Sequence, residues 1–179
     1  NLPSPYIFRA QSSQLNQVYA AIPELLNVQK LLMINKKKGI ALYYRQDTHW
    51  NNFGAYIAVK AFQERLLQAY PFLQPFEARP ILVNDQKEMD LANMMGLNDY
   101  FSHQEVGVRF IQQPSKRIPH LMIVHDSFLT SLRPSLDQLF VKVSPKFIFN
   151  EGLLSPEILL REKADVFVIE LVERYKSAL

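Results

Sequence analysis

The sequence contains no cysteine, which excludes disulfide bonds, thiolate zinc sites and a cysteine nucleophile. No apolar run approaches the roughly 18 residues of a membrane span, and no signal peptide opens the chain. The net charge is only +3, and the basic residues are scattered apart from the triplet Lys36-Lys37-Lys38. Such a small excess of charge is not typical of a nucleic-acid-binding protein, so no nucleic-acid partner is expected.

What is present is a hydrophobic chain of single-domain length. Its 179 residues are 48% hydrophobic and 12% aromatic, so a real core is expected. A chain of this size buries roughly 70% of the surface that its unfolded form exposes, which predicts one domain over residues 1–179. The chain begins at Asn1 without an initiator Met, which indicates a processed or excised piece. Any targeting segment or membrane anchor would then lie upstream.

The pattern of apolar residues predicts strands that alternate with helices. The predicted helices are 13–26, 52–70 (capped by Asn52 and ended by Pro71), 87–95 (closed by Gly96), two pieces from 128 onward divided by Pro134, 156–163, and one after 171. The predicted strands are 31–34, 40–44, 80–84, 106–111, 121–124, 146–150 and 165–170. This alternation is typical of an α/β sandwich with a mainly parallel sheet. Active sites of such sheets lie at the carboxyl ends of the strands.

Ser127 follows the continuous apolar run at 121–124, between a predicted buried strand and a predicted helix. A serine hydroxyl needs an adjacent base to act as a nucleophile. A position before a helix would expose the hydroxyl and direct backbone N–H groups and the positive helix end toward a developing oxyanion. The alternative is that Ser127 only caps the helix.

Asp47 and His49 are the candidate acid and base. In an extended segment, side chains two residues apart lie on the same face. A carboxylate on one ring nitrogen would fix the tautomer and leave the other nitrogen free to accept the serine proton. The alternative is a turn aspartate beside a hydrogen-bonded histidine. Trp50 is either a core residue or a platform for a substrate ring.

The same residue types also permit a metal site. Asp47, His49, His125 and Asp126 all offer oxygen or imidazole donors, so a metal-dependent hydrolase is a competing hypothesis.

Four segments, taken in order, resemble the blocks of a known family. Residues 44–51, with Gly54-Ala55 after them, resemble the Asp-x-His-Trp block of the alginate O-acetyltransferase family (AlgJ/AlgX-like). Residues 89–97 look like its Gly-Asp-Leu-Ala block, residues 125–128 resemble its Gly-Asp-Ser-Phe block, and residues 165–174 resemble its terminal strand ending in Val-Glu-Arg. The resemblance covers nearly the whole chain.

The resemblance implies a circularly permuted SGNH hydrolase-like domain, a three-layer sandwich around a mainly parallel sheet. The family's opening strand would precede Asn1, so this piece is expected to lack one edge of the sheet. By the same resemblance Ser127 is the nucleophile, His49 the general base and Asp47 the residue that orients it. Trp50 and Asn150 are candidate substrate contacts, with a strand-end cap as the alternative role for Asn150.

The implied activity is transfer of acetyl groups to hydroxyls of an exported polysaccharide outside the cytoplasmic membrane. The acetyl group would come from a membrane-bound O-acyltransferase partner, and neither a cofactor nor a metal is expected. Hydrolysis of an acetyl ester would use the same residues, so this activity remains an alternative to transfer. Two departures from the family pattern are His125 and Met89, each in place of a glycine. His125 keeps a third hypothesis open, a non-catalytic polysaccharide-binding subunit of the same fold.

Overall fold

A computed structural model describes residues 20–22, 25–85, 90–97, 103–148 and 156–171. In chain order the elements are α1 (Gln29–Lys37), α2 (Asn52–Ala69), β1 (Glu77–Asp85), α3 (Asp90–Met94), β2 (His103–Gln112), β3 (Ile118–His125), α4 (Leu129–Leu139), β4 (Phe140–Phe147), α5 (Pro156–Glu162) and β5 (Val166–Ile169). Most of the helix predicted over 13–26, and the helix predicted after 171, lie outside the described residues.

The strand β3 is the centre of a parallel sheet with the order β4-β3-β5. Its apolar residues 121–124 are each at most 2% exposed, which confirms the buried strand predicted there. The α/β fold with a mainly parallel main sheet is therefore confirmed. Because the three strands run in the same direction, their carboxyl ends lie at the same edge of the sheet, and residues 125–128 lie at that edge.

The helices α2 and α4 pack against each other and share one hydrophobic core with β3 and β4. Asn51 caps α2, one residue before the predicted cap, because its side chain accepts hydrogen bonds from the N–H groups of Phe53 and Gly54. The helix ends at Ala69, just before Pro71, as predicted. The start of α2 is therefore fixed against the segment that precedes it.

The strands β1 and β2 form a separate antiparallel ribbon. Both predicted strands in this region are present and longer than expected. Val106, Val108 and Phe110 of the ribbon pack on the core, and Glu105 is only 1% exposed. The Glu105 carboxylate accepts a hydrogen bond from the Arg45 N–H at 3.3 Å, so the ribbon contacts the loop before α2.

The prediction of a strand at residues 31–34 is wrong, because these residues lie within the helix α1. A short apolar run is compatible with either a strand or a helix, and here the residues around the run favour the helix. Leu31 and Leu32 pack on the core on one side, while Lys36 and Lys37 occupy the last turn, where they complement the helix dipole. Gly39, with a φ of 80°, then ends the helix. The predicted strand at 40–44 is reduced to a single bridge between Tyr43 and Trp50.

The prediction that Pro134 divides the next helix is also wrong, since α4 runs unbroken through it. Proline removes one backbone hydrogen bond, but the buried Leu132, Leu136 and Leu139 anchor both halves of the helix in the same core. The strand β4 follows immediately and ends at Phe147, so the strand predicted over 146–150 was placed too late. The predicted helix near 90 is confirmed only as the short α3, after which Gly96 has a φ of 66°.

None of the helices in the described ranges is both long enough and apolar enough to cross a membrane.

Candidate active site

The loop before α2 carries the candidate acid and base. Its ends are joined by the bridge between Tyr43 and Trp50 and by a hydrogen bond from the Tyr44 N–H to the His49 carbonyl at 3.2 Å. The Asn51 amide N–H₂ donates to the Ala41 carbonyl at 2.9 Å while its oxygen caps α2. The loop is therefore closed on itself and tied to a rigid helix.

Asp47, His49 and Ser127 form one hydrogen-bonded chain. The Asp47 Oδ1 lies 2.5 Å from the His49 Nδ1 and also accepts the His49 backbone N–H at 2.8 Å. The His49 Nε2 lies 2.7 Å from the Ser127 Oγ. Asp47 is 7% exposed, whereas Ser127 is exposed to solvent. The arrangement gives the imidazole one nitrogen for the carboxylate and one for the hydroxyl, as proton transfer from serine requires.

Ser127 does not cap the helix that follows it. The N-cap of α4 is Phe128, and its N–H donates to the Asp126 Oδ1 at 2.8 Å. Asp126 thus accepts the N–H two residues further along the turn, and the Ser127 hydroxyl is directed to His49. Ser127 stands at the N-terminal, positive end of α4 and after the carboxyl end of β3.

Trp50 connects the base loop to the nucleophile turn. Its indole N–H donates to the Phe128 carbonyl at 3.0 Å, and the two rings meet edge to face at a centroid distance of 5.5 Å. The Phe128 ring also lies 4.6 Å from the His49 ring. Trp50 is only 8% exposed, so the structure favours its core role and leaves little ring face for a sugar.

We expect Trp50→Phe to destabilise the protein by about 1–3 kcal/mol, because the buried Phe128 carbonyl would lose its donor. Turnover should fall as well, since the same bond holds Ser127 opposite His49. Thermal denaturation and ester hydrolysis measure the two effects. Tyr43→Phe is the matched control, because Tyr43 is half-exposed and bridges to Trp50 through its backbone only. Equal losses in both variants would contradict this role of the indole.

Asp90 at the start of α3 is a further anchor of the base loop. Its carboxylate accepts the backbone N–H of Thr48 at 2.8 Å and the Thr48 hydroxyl, and Oδ2 lies 3.8 Å from the His49 Nδ1. Partial burial alone would raise the pKa of Asp90, but the hydrogen bonds from Thr48 and from the Leu91 N–H hold this pKa below its ordinary value. The Leu91 N–H also reaches the Gln46 carbonyl at 3.1 Å.

The sequence alone assigns Asp90 no role, although Asp90 lies in the block at residues 89–97 that resembles the family. The available signal is an acid at the head of a short helix, but only the fold brings residue 90 next to residue 48.

The four-residue metal site considered from the sequence is not assembled. Within the described ranges, the metal-compatible group is Asp47, His49 and Asp90, whose candidate ligand atoms lie within 4.8 Å of one another. Two of these residues already bond each other.

His125 instead points its Nδ1 at the Asp126 carbonyl, at 2.6 Å, and its ring packs edge-on against Phe147 of β4. The His125 side chain therefore does not prevent the contact between Ser127 and His49. Asn150 lies outside the described residues.

The fold and this site together define the class of the protein, an SGNH hydrolase-like domain. The family of SGNH hydrolase-like acetyltransferase domains named for AlgX matches residues 8–119, and the chain belongs to that family. A search of curated protein sequences gives no match.

Several solved structures resemble this chain, and two of them show the shared fold. The O-acetyltransferase domain of Pseudomonas putida AlgJ is 20% identical, with a TM-score of 0.53 over 90% of this chain and 64% of that one. A DHHW family protein from Eubacterium siraeum is 13% identical, with a TM-score of 0.56 over 81% of this chain and 63% of that one. The chain therefore spans slightly less than two thirds of either structure.

Proposed function

We propose that this domain is an O-acetyltransferase that passes an acetyl group through Ser127 to a hydroxyl of an exported polysaccharide. The observation that carries the proposal is the hydrogen-bonded chain from Asp47 through His49 to an exposed Ser127. The AlgX family membership and the likeness to the AlgJ O-acetyltransferase domain support the acetyl group as the unit transferred. The chemistry requires only groups of this chain and its two substrates.

In the first half-reaction the Ser127 Oγ bonds to the carbonyl carbon of the donor ester while the His49 Nε2 takes the hydroxyl proton. The carbonyl electron pair moves to oxygen and forms the tetrahedral oxyanion. Collapse of this intermediate breaks the bond to the leaving oxygen, which receives the proton from His49, and acetyl-Ser127 remains. Asp47 holds the imidazole in the required tautomer and stabilises its cationic form.

The oxyanion would form at the positive end of α4. The Phe128 N–H is engaged by Asp126, so the N–H of Ser127 itself is our candidate donor.

In the second half-reaction a hydroxyl of the polysaccharide attacks the acetyl carbon as His49 takes its proton. Ser127 is released when the same proton returns to Oγ. Water can replace the hydroxyl, and the domain is then an acetylesterase. Because Ser127 is exposed, acceptor access decides which outcome prevails. The polysaccharide, an extracytoplasmic location and an acetyl donor supplied by a membrane-bound O-acyltransferase are parts of the same proposal, drawn from the resemblance to the family.

The direct test uses p-nitrophenyl acetate as donor. Release of p-nitrophenol together with an acetyl adduct on the Ser127 peptide supports the proposal. Added oligosaccharides that accelerate p-nitrophenol release and become acetylated would favour transfer over hydrolysis. Absence of both the adduct and turnover in the folded protein would overturn the proposal.

We expect Asp47→Asn to lower kcat for p-nitrophenyl acetate by about 10²- to 10⁴-fold, because an amide favours the wrong imidazole tautomer and leaves the imidazolium without its counter-charge. Asp90→Asn should cost much less, since Asp90 lies 3.8 Å from the ring nitrogen and mainly holds Thr48. The half-exposed Asp137, paired with Arg133, offers the control Asp137→Asn. An Asp47→Asn enzyme as active as this control would contradict the orienting role.

A further inference from the structure

Glu170 and Asp126 bring two acids together beside the turn that carries Ser127. Asp126 follows β3 and is 1% exposed, while Glu170 follows β5. The Glu170 N–H donates to the Val124 carbonyl at 2.8 Å, which continues the parallel pairing of the two strands by one residue. Parallel neighbours end at the same edge, so both carboxyl groups emerge there together.

The contacts of this pair are those of an acid that keeps its proton. The Glu170 carboxyl interacts with both the backbone N–H and the carboxyl group of Asp126. Its Oε2 is buried and receives no hydrogen bond from any described donor. Two adjacent carboxylates would repel each other, whereas one proton between them forms a charge-assisted hydrogen bond. We assign that proton to the Glu170 carboxyl group, whose Oε2 is buried.

We propose that Glu170 is a positioning residue: it remains protonated, donates to the Asp126 carboxylate and so fixes the turn that presents Ser127 to His49. The Asp126 carboxylate held in this way accepts the Phe128 N–H at 2.8 Å, and the Ser127 Oγ stands 2.7 Å from the His49 Nε2. The effect on turnover rests on the proposed function, but the effect on the folded state does not.

The surroundings of Glu170 favour the protonated acid. Burial, and after it the negative charge of Asp126, raises the pKa of Glu170 to about 8. Asp126 supplies the only charge that acts on Glu170 among the residues that the structure describes. Among the other titratable groups on the neighbouring elements, four have partners elsewhere: His125 contacts the Asp126 carbonyl, His120 contacts Ser144, Asp165 accepts the His120 N–H, and Glu162 pairs with Lys146.

Ionisation of Glu170 would therefore place two negative charges at the nucleophile turn. As pH rises through about 8, we expect Asp126 to be pushed from its position and turnover to decline by up to about tenfold per pH unit. The folded-state pKa lies above the ordinary value of 4.5, so between these two pH values the folded form holds a proton that the unfolded form has lost. Stability should thus fall as pH rises from about 4.5 to about 8 and then become level.

The test compares the wild type with Glu170→Gln, whose amide N–H₂ still donates to Asp126 and whose oxygen still accepts the Asp126 N–H. Glu162→Gln is the matched control, since it removes one acid from the neighbouring α5 without touching the turn. Melting temperatures from about pH 5 to about pH 9 are recorded in the Ser127→Ala background, so that they are independent of catalysis. Rates with p-nitrophenyl acetate are recorded over the same range.

We expect Glu170→Gln to keep near-wild-type turnover at neutral pH, to lose the decline above about pH 8, and to flatten the pH dependence of the melting temperature. Glu162→Gln should follow the wild type in both measurements. Asp126→Asn should weaken the pH dependence of the melting temperature without removing it, because its amide can donate to an ionised Glu170 while the burial of Glu170 is unchanged.

Identical melting profiles for the wild type, Glu170→Gln and Asp126→Asn would overturn the inference. So would an unchanged alkaline decline in turnover for Glu170→Gln. A folded wild type without turnover would overturn the proposed function alone, and the melting profiles would still decide the role of Glu170.

Discussion

Ser127→Ala is expected to reduce hydrolysis of p-nitrophenyl acetate by at least about 10³-fold and to abolish acetylation of the protein. The alanine removes the atom that would form the covalent bond, and water is less well placed to attack in its stead. The fold should change little, because Ser127 is exposed and its hydroxyl contacts only His49 among the hydrogen bonds described. Steady-state kinetics and the intact mass after incubation with donor measure the two losses.

The control for this substitution is Ser115→Ala. Ser115 is also exposed and hydrogen-bonds the Gln74 side chain, but it lies before β3, at the opposite end of the strand from Ser127. It should leave both activity and acetylation unchanged. Equal activity of the two alanine variants would remove Ser127 from the reaction, and retained acetylation in Ser127→Ala would transfer the covalent step to another residue.

Gly54→Ala is expected to have the largest effect on stability, roughly 3 kcal/mol, a large part of the total of about 5–15 kcal/mol typical of a domain. A Cβ at position 54 would lie 2.2 Å from the carbonyl oxygen of Leu42 and 3.2 Å from the Cβ of Trp50. The first neighbour is backbone and cannot rotate away. The helix α2 must therefore shift away from the loop, or the loop must open.

The same shift should impair turnover in whatever fraction stays folded, since the loop carries Asp47 and His49. Chemical denaturation and ester hydrolysis provide the two measurements. Gly107→Ala is the matched control, because its Cβ would meet the methyl groups of Val83 at 2.9 and 3.1 Å, and a side chain can adjust. We expect Gly107→Ala to lower the free energy of unfolding less than Gly54→Ala does and to retain activity. A stable, fully active Gly54→Ala protein would show that the close approach of loop and helix is dispensable.

Much of the candidate site could be predicted from the sequence because its signals are local. The apolar run before Ser127 indicates a buried strand, and whatever follows such a strand lies at the active edge of a parallel sheet. The spacing of Asp47 and His49 allows both side chains to share a face, and the structure brings them to Ser127. Their catalytic roles remain a prediction that the kinetic tests above address.

The remaining features depend on tertiary contacts that no local pattern carries. Glu170 meets Asp126 only because β5 pairs with β3, and Asp90 meets Thr48 only because α3 packs beside the loop. The misassigned strand at 31–34 has a different cause: four apolar residues suit a strand or one side of a helix, and their burial against the core determines the choice. The place of Pro134 within α4 likewise reflects packing that outweighs a local penalty.

The chain's only tryptophan, Trp50, lies at the junction of the two segments that form the site, with its indole N–H on the Phe128 carbonyl. Its intrinsic fluorescence is therefore a label-free optical reporter of whether those segments are docked. During refolding, the blue shift of the emission should coincide with the return of catalytic competence. The same signal should respond when an acyl group or a saccharide is accommodated next to Ser127, which allows ligand titrations without a chromogenic donor.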